Sequence, residues 1–429
     1  MLLEINTDKD TCFNKIKELW REAEDGFPDF LSEISNETKS QNEEYIKDIT
    51  EFFQKQIKSY PRLPICRKKW IEKSCSKISE VLYKETIIGI HNSISKETLD
   101  AFQDELFQFL RNVREFAPEL SFEEIGQAIR NYIVYAMFKE VSGVKLGFNM
   151  AGFGYSMLYP FTDNYIDNRN CSEKEKTEYN KFIRDKLEGR QVHPNSLHQQ
   201  KTGELLDAIE SEFPKNSDRT VNKLLLLMLD AQEKSLMQQN QSVKLTYEER
   251  LDISIYKGGI SVFIDRVLVK KQITEDELLF YLGLGFFLQL ADDLQDIKED
   301  NEKGYQTIFT THLNSEHEEK IVNKILNFIH HVMDSYKAEN DIFKYFILSN
   351  CYQLVYLSVV GSSEFFSKEY LNQLERYLPV SYPFLKKHMQ NRFEDSDSVT
   401  QEKYMKMLDE ILFLKAKLHY NSHNFMAYN

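Results

Sequence analysis

Residues Leu278–Asp300 read LLFYLGLGFFLQLADDLQDIKED. From Leu278 to Ala291 no residue is charged, and Asp292, Asp293, Asp296, Glu299 and Asp300 then crowd the end of the stretch. A segment that is apolar on every side, yet too short to cross a bilayer, is expected as a helix inside a protein core. On a helix that continues through Asp300, positions four apart share a stripe, so Asp292, Asp296 and Asp300 project in a row. Gln289 and Gly285 extend that stripe back into the apolar part. Two readings of the acids stand side by side: a core helix whose end surfaces and is solvated, or a cation site. Carboxylates near a helix C-terminus oppose the macrodipole, and like charges one turn apart repel. A cation relieves both, and hard oxygen ligands in a row suit Mg²⁺.

At 429 residues the chain has room for one large or two ordinary domains. Hydrophobic residues make up 41%, with 30 Phe and 23 Tyr, enough for a large aromatic-rich core. Only 15 Gly and 9 Pro punctuate long stretches of helical periodicity, and no strand-like alternation or internal repeat is evident. The expected class is all-α.

A net charge of −14 argues against nucleic acid as the main partner. An acidic protein that binds an anionic substrate needs a cation between them. Cys12, Cys66, Cys75, Cys171 and Cys351 show no metal-ligand spacing, and their scatter suits a reducing compartment, so the expected location is cytoplasmic. The N-terminus carries early acids and no apolar signal core, and no transmembrane segment is expected.

Along the chain, helices are expected near 10–25, 40–58, 66–92 and 96–116, with Ser95 as an N-cap. Ser121 and Glu124 have capping-box spacing. Leu146–Thr162 is a second uncharged run, followed by Asp163 and Asp167. Pro160 offers a competing reading in which a new helix begins there and Asp163 is an ordinary first-turn acid. Residues 171–218 read as one helix plus a surface connection, with His193 and His198 as solvated loop histidines. In a helix expected over 246–271, Lys257 precedes Gly258 and Gly259. Two glycines inside a helix cost roughly 1 kcal/mol each, which suggests a close approach or a break facing a ligand. A lid-like loop is expected near 301–312, and helices at 315–338, 341–360 and 367–378. The expected division is 1–120 (N-terminal helices packed on the core), 121–394 (the main helical domain) and 395–429 (a C-terminal helix).

With these residues in view, the chain resembles class I isoprenoid (terpene) synthases. QLADDLQD at Gln289–Asp296 looks like the second aspartate-rich motif of trans-prenyltransferases, FQxxDDxxD, with Leu288 in place of Phe. Asp292, Asp296 and Asp300 also occupy the three ligand places of the terpene-cyclase motif (N/D)DxxSxxxE in altered form. Lys257-Gly258-Gly259 resembles the Lys-Thr-Gly segment of prenyltransferases, whose lysine contacts diphosphate. Asp163-Asn-Tyr-Ile-Asp167 has the DxxxD form of squalene and phytoene synthases, and NYIDN is similar to the DYLDN motif of bacterial large-terpene synthases, the class IB group. Arg376-Tyr377 stands where many cyclases carry an Arg-Tyr pair. The likeness covers roughly residues 130–380. The adjacent Asp-Asp pair and Arg-Arg-Gly of chain-elongating enzymes are missing from the first motif.

The resemblance implies an all-α bundle with a central active-site cavity and Mg²⁺-dependent ionisation of a linear prenyl diphosphate, of C15 to C25, with pyrophosphate release. It implies that Asp163, Asp167, Asp292, Asp296 and Asp300 hold a cluster of three Mg²⁺ ions. Lys257, Arg169, Lys303, Arg376 and Tyr377 are then the diphosphate contacts. Phe153, Tyr159, Phe286 and Gln289 are the cavity residues. Phe148, Tyr155 and Phe287 are further aromatics on the two apolar runs. Gly152, Gly154, Gly283 and Gly285 are expected to leave room for the prenyl chain. A homodimer is common in the resembled families. Two other outcomes stay open: a trans-prenyltransferase or head-to-head condensing enzyme, and a degenerate, non-catalytic subunit of the same fold.

Overall fold

The computed structural model describes residues 5–85, 87–168, 171–216, 219–310, 314–391 and 405–412, with backbone alone at 5–10, Asp167 and 389–391. These residues form an all-α structure with no strand among them. In chain order the helices are α1 (Ile5–Glu22), α2 (Asn36–Lys58), α3 (Pro64–Tyr83), α4 (Ile90–Ser93), α5 (Lys96–Phe116), α6 (Phe122–Val141), α7 (Met150–Asp167), α8 (Glu173–Leu187) and α9 (Leu197–Glu212). They continue as α10 (Thr220–Ser235), α11 (Tyr247–Val269), α12 (Glu275–Gln295), α13 (Ile297–Lys303), α14 (Ser315–Asp334), α15 (Asp341–Gly361), α16 (Lys368–Glu375) and α17 (Tyr382–Asn391). Residues 405–412 are also helical. No helix among the described residues is long and apolar enough to cross a membrane.

Two compact units divide the chain. The larger comprises Met1–Glu33, Val134–Lys145 and Asn149–Tyr377; the smaller comprises Ile34–Ile133, Leu146–Phe148 and Leu378–Asn429. This cut differs from the expected one at residue 120, because α1 groups with the larger unit. Its apolar face accounts for that: Trp20 is buried between the rings of Phe286 and Phe328, and Phe13 stacks on Tyr256 at 4.1 Å. Ion pairs of Lys17 with Asp252 and Arg21 with Glu248 border the same contact.

In the smaller unit, the buried Glu105 accepts from the Tyr132 hydroxyl at 2.9 Å and from Gly147 N–H at 2.6 Å. A buried acid satisfied in this way fixes the local packing of α5 and α6. Helix 405–412 is tied to the same unit by Arg114 on Asp409, at 2.7 and 3.1 Å, and by Arg67 and Tyr60 on Glu410. The remainder of the expected 395–429 helix lies outside the described residues. The expected 66–92 helix stops at Tyr83, and Gly89, at φ +86°, reverses the chain before α4.

In the larger unit α11 and α12 form the central pair. Capping boxes at Thr246/Glu249 and Thr274/Glu277 start them. Between them the backbones nearly touch. A Cβ on Gly258 would collide with the Gly285 carbonyl oxygen and lie 2.7 Å from Gln289 Cβ, and one on Gly285 would strike the Gly258 carbonyl. The two helices therefore approach as closely as glycine alone permits, which accounts for the helix-weakening pair at 258–259. A similar contact sets α9 against α7, where a Cβ on Gly154 would sit 2.7 Å from the Leu205 carbonyl oxygen.

Helix α7 runs unbroken through Pro160. Proline normally disrupts a helix interior, which is the ground for the reading in which a new helix begins at Pro160 and Asp163 is a first-turn acid. The structure overturns it: Asp163 lies in the last turns of α7.

Gly285→Ala is expected to lower unfolding free energy by about 3 kcal/mol or more, at or beyond the upper end of ordinary overpacking, because the clash is with backbone. Gly126→Ala, whose Cβ meets only Arg130 at 3.8 Å, should instead stabilise by about 0.5–1 kcal/mol. Urea denaturation of both variants checks the pair; equal effects would contradict the close approach.

Candidate functional site

The site is built where the ends of α7 and α12 meet α11. Tyr155, Tyr159 and Asp163 lie along one stripe of α7, and Lys257, Ser261 and Asp265 along one stripe of α11. The stripes face each other. The Tyr155 hydroxyl donates to the Ser261 carbonyl at 2.9 Å, and the hydroxyls of Tyr159 and Ser261 are 3.1 Å apart. Burial, with the charges of Asp163 and Asp292, pushes the Tyr159 hydroxyl up to about 12, against the Ser261 bond and Lys257. Asp163 from α7, Asp292 from α12 and Lys257 from α11 thus all lie close enough to one hydroxyl to act on it.

On α12 the expected stripe survives a break. The helix ends at Gln295, Asp296 takes non-helical angles, and α13 begins at once. The i to i+4 register nevertheless carries across, with Asp296 N–H on the Asp292 carbonyl at 3.0 Å and Asp300 N–H on the Asp296 carbonyl at 2.8 Å. Burial, reinforced by Asp292 and Glu299, raises Asp296 to about 6; burial, with Asp296 and Asp292, raises Asp300 to about 6. Lys303 opposes both shifts. It also pairs with Glu299 and lies over the Tyr305 ring at 5.6 Å.

Asp293, buried beside this row, is raised to about 7 by burial, against the bond from Gln289. Gln289 Nε2 donates to Asp293 Oδ1 at 2.9 Å, and Ser254 Oγ reaches its other oxygen at 3.4 Å. Gln289, expected in the cavity wall, therefore orients a carboxylate instead. Asp163 Oδ1 accepts from Gln232 of α10 and from Thr162 Oγ1 at 3.0 Å. Asp293, Gln232 and Ser261 are site neighbours that spacing alone did not single out.

From Asp163 an apolar cavity runs inward between α7, α8, α9 and α10, enclosing about 470 Å³ with its open mouth. Tyr155, Leu158 and Tyr159 form one wall, Leu225, Met228 and Leu229 another, and Asp163 with Gln232 the polar rim.

Several expected placements are corrected. Phe286 is fully buried against Trp20 and Phe328, so it is core and not cavity wall. Phe287 is likewise fully buried, and Phe153, also buried, is not among the residues that line this cavity. Phe148 falls in the smaller unit. Gly152, Gly154, Gly283 and Gly285 leave no room for a ligand; each is filled by a neighbour, Gly283 by Val332 at 2.9 Å and Gly152 by the Tyr135 ring. Arg376 pairs with Glu33, and Tyr377 packs on Phe27 with ring centroids 5.4 Å apart, so this pair is engaged by the N-terminal segment. Arg169 and the Asp167 side chain lie outside the described residues.

The expected lid at 301–312 is anchored instead. Residues 301–303 belong to α13, and Gln306 Nε2 donates to the Val243 and Asn240 carbonyls at 2.7 and 3.2 Å. Thr307, Ile308 and Phe309 are buried, while residues 311–312 lie outside the described set. Residues 171–218 hold two helices, α8 and α9, and His198 sits on α9. It stacks on Phe161 and Tyr165 with Nε2 2.5 Å from the Phe161 carbonyl, and burial lowers its pKa. It is no solvated loop histidine.

Among the described residues no three His, Cys, Asp or Glu side chains form a ready metal cage. No protein-family profile matches the chain, and neither a curated protein nor a solved structure matches it.

Asp293, Asp296 and Asp300 hold their protons more tightly folded than unfolded. The stability they confer is full below about pH 4 and lost as pH rises through 6 to 7. In metal-free buffer Asp296→Asn, which mimics the protonated acid, should therefore melt higher than the parent at pH 8 and alike at pH 4. A parent as stable as the variant at pH 8 would contradict the upward shift that burial and the neighbouring carboxylates impose on Asp296.

Proposed function

We propose that the chain is a class I terpene synthase: it ionises a linear prenyl diphosphate, releases pyrophosphate and cyclises or rearranges the resulting cation. One observation carries the reading. Asp163 and Asp292, from two apolar runs distant in the chain, and Lys257 all act electrostatically on the Tyr159 hydroxyl, which with Asp163 lines an apolar cavity.

The donor set suits Mg²⁺. Burial, reinforced by the neighbouring carboxylates, keeps Asp296 and Asp300 near 6, which disfavours their ionised forms. Mg²⁺ is held by one or two carboxylates, waters and substrate phosphates more often than by an all-protein cage. Asp163 on one side and Asp292, Asp296 and Asp300 on the other would hold it. When bound, it supplies the charge that stabilises departing pyrophosphate.

The protein's own groups do the rest. Lys257 and Lys303 add positive charge beside the acids. Gln232 and Thr162 hold Asp163 in one orientation, as Gln289 does for Asp293. The prenyl chain occupies the apolar cavity, where an allylic cation meets carbon and the faces of Tyr155 and Tyr159 instead of water.

Incubation with Mg²⁺ and single C10 to C25 prenyl diphosphates should release pyrophosphate and give a hydrocarbon or alcohol. Chelation should abolish this, and Asp292→Ala should lower kcat by roughly 100-fold or more, as expected for loss of an electrostatic contact to the leaving group. Product only with added isopentenyl diphosphate, or a condensed dimer, indicates a condensing enzyme instead. Pyrophosphate release indifferent to chelation and to Asp292→Ala would overturn the catalytic role.

A further inference from the structure

Residues 58–73, at the turn from α2 into α3 in the smaller unit, invert the charge of the chain. Lys58, Arg62, Arg67, Lys68, Lys69 and Lys73 stand there against Glu72 alone, a local charge of +5 in a protein of net −14. Residues 62–66 are exposed in succession. Lys68, Lys69 and Lys73 then continue along one side of α3, whose opposite side buries Ile71 and Ser74.

A basic run alone is ordinary solvated surface. The apolar side chains at its head set this one apart. Leu63 is 66% exposed and Ile65 is 88% exposed, the most of any large apolar residue among those described. Neither is exposed through a loose loop. Arg67 Nε donates to the Pro61 carbonyl at 3.0 Å and its Nη2 to the Arg62 carbonyl at 3.1 Å, so the backbone just before Leu63 is tied to α3. Trp70 Nε1 donates to Ser59 Oγ at 2.9 Å, and its ring meets Tyr60 edge-on at 5.0 Å. The turn therefore holds two apolar side chains out into water, with cations behind them.

Opposite charge and an apolar receptor are both needed to cover such a surface, and an anionic bilayer offers both. A nucleic acid would meet the cations and leave Leu63 and Ile65 in water. Nor does charge favour the chain's own residues 413–429, which follow the helix that Arg67 holds through Glu410: they carry Lys415 and Lys417 and no acid.

We infer that the α2–α3 turn is a peripheral docking site for an anionic lipid surface, with Leu63 and Ile65 entering the headgroup region and Arg62, Lys68, Lys69 and Lys73 lying on the lipid phosphates. This docking is independent of the reaction proposed above.

Flotation of the full chain with vesicles of phosphatidylcholine, alone or with about 30% phosphatidylglycerol, tests it. Binding is expected to the charged vesicles at low salt, falling as added salt screens the surface charge. Lys68→Gln/Lys69→Gln should weaken it by about 25-fold, roughly 5-fold per charge removed. Leu63→Ser/Ile65→Ser should weaken it by about 10-fold or more. All four positions are exposed, so both variants should melt with the parent, and circular dichroism checks that they do. Failure of the parent to bind charged vesicles, or equal binding to both compositions, would overturn the docking site. A loss confined to the lysine variant, with Leu63→Ser/Ile65→Ser binding as the parent does, would also overturn it and indicate a surface for polyanions such as nucleic acid.

Discussion

The backbone contact between α11 and α12 governs the rest of the larger unit. Gly258 and Gly285 let the two helices approach to a distance that any side chain would prevent. That approach fixes the register in which Gln289 sits beside Gly258 and turns onto Asp293. The glycines cost helix stability locally, and the gain is a fixed geometry among charged groups. Such groups repel when left to themselves.

The energetic character of the site follows from that geometry. Hydrogen bonds orient two of the acids: Asp163 accepts from Gln232 and Thr162, Asp293 from Gln289 and Ser254. Asp296 and Asp300 are held near 6 by burial and by one another, with Lys303 as a partial counterweight. A protein folds such a row at a cost in stability, and sites where stability is given up are commonly sites of function. At Asp163 lies the opposite environment, a cavity lined by leucine, methionine and two tyrosines.

Much of this was legible in residues 278–300. The charge-free run had to be buried, and periodicity put Asp292, Asp296 and Asp300 on one side; the turn at Asp296 was not legible, yet the register survives it. The all-α class followed from the sparse Gly and Pro. Glycines misled where they were read as space, because sequence does not tell a gap for a ligand from a gap for another helix; Gly283 is filled by Val332 and Gly285 by Gly258. Phe286 misled for a related reason: an aromatic on an apolar run is core or wall depending on a partner far away in sequence, here Trp20. The polar stretch 171–218, read as one helix and a surface connection, holds a second helix, and Ile183, Leu187 and Leu206 of α8 and α9 help to line the cavity. Pro160 hid the continuity of α7. Arg376 and Tyr377 turned out to be held by Glu33 and Phe27, contacts no local pattern announces.

The central claim is that acids on α7 and acids on α12 act as one clamp for magnesium and pyrophosphate. Calorimetric titration of inorganic pyrophosphate into the parent, Asp163→Asn and Asp292→Asn, each with and without Mg²⁺, tests it most directly. The account predicts binding in the parent only when Mg²⁺ is present, and its loss on either substitution alone. Binding that needs no Mg²⁺, or that survives both substitutions, would contradict it.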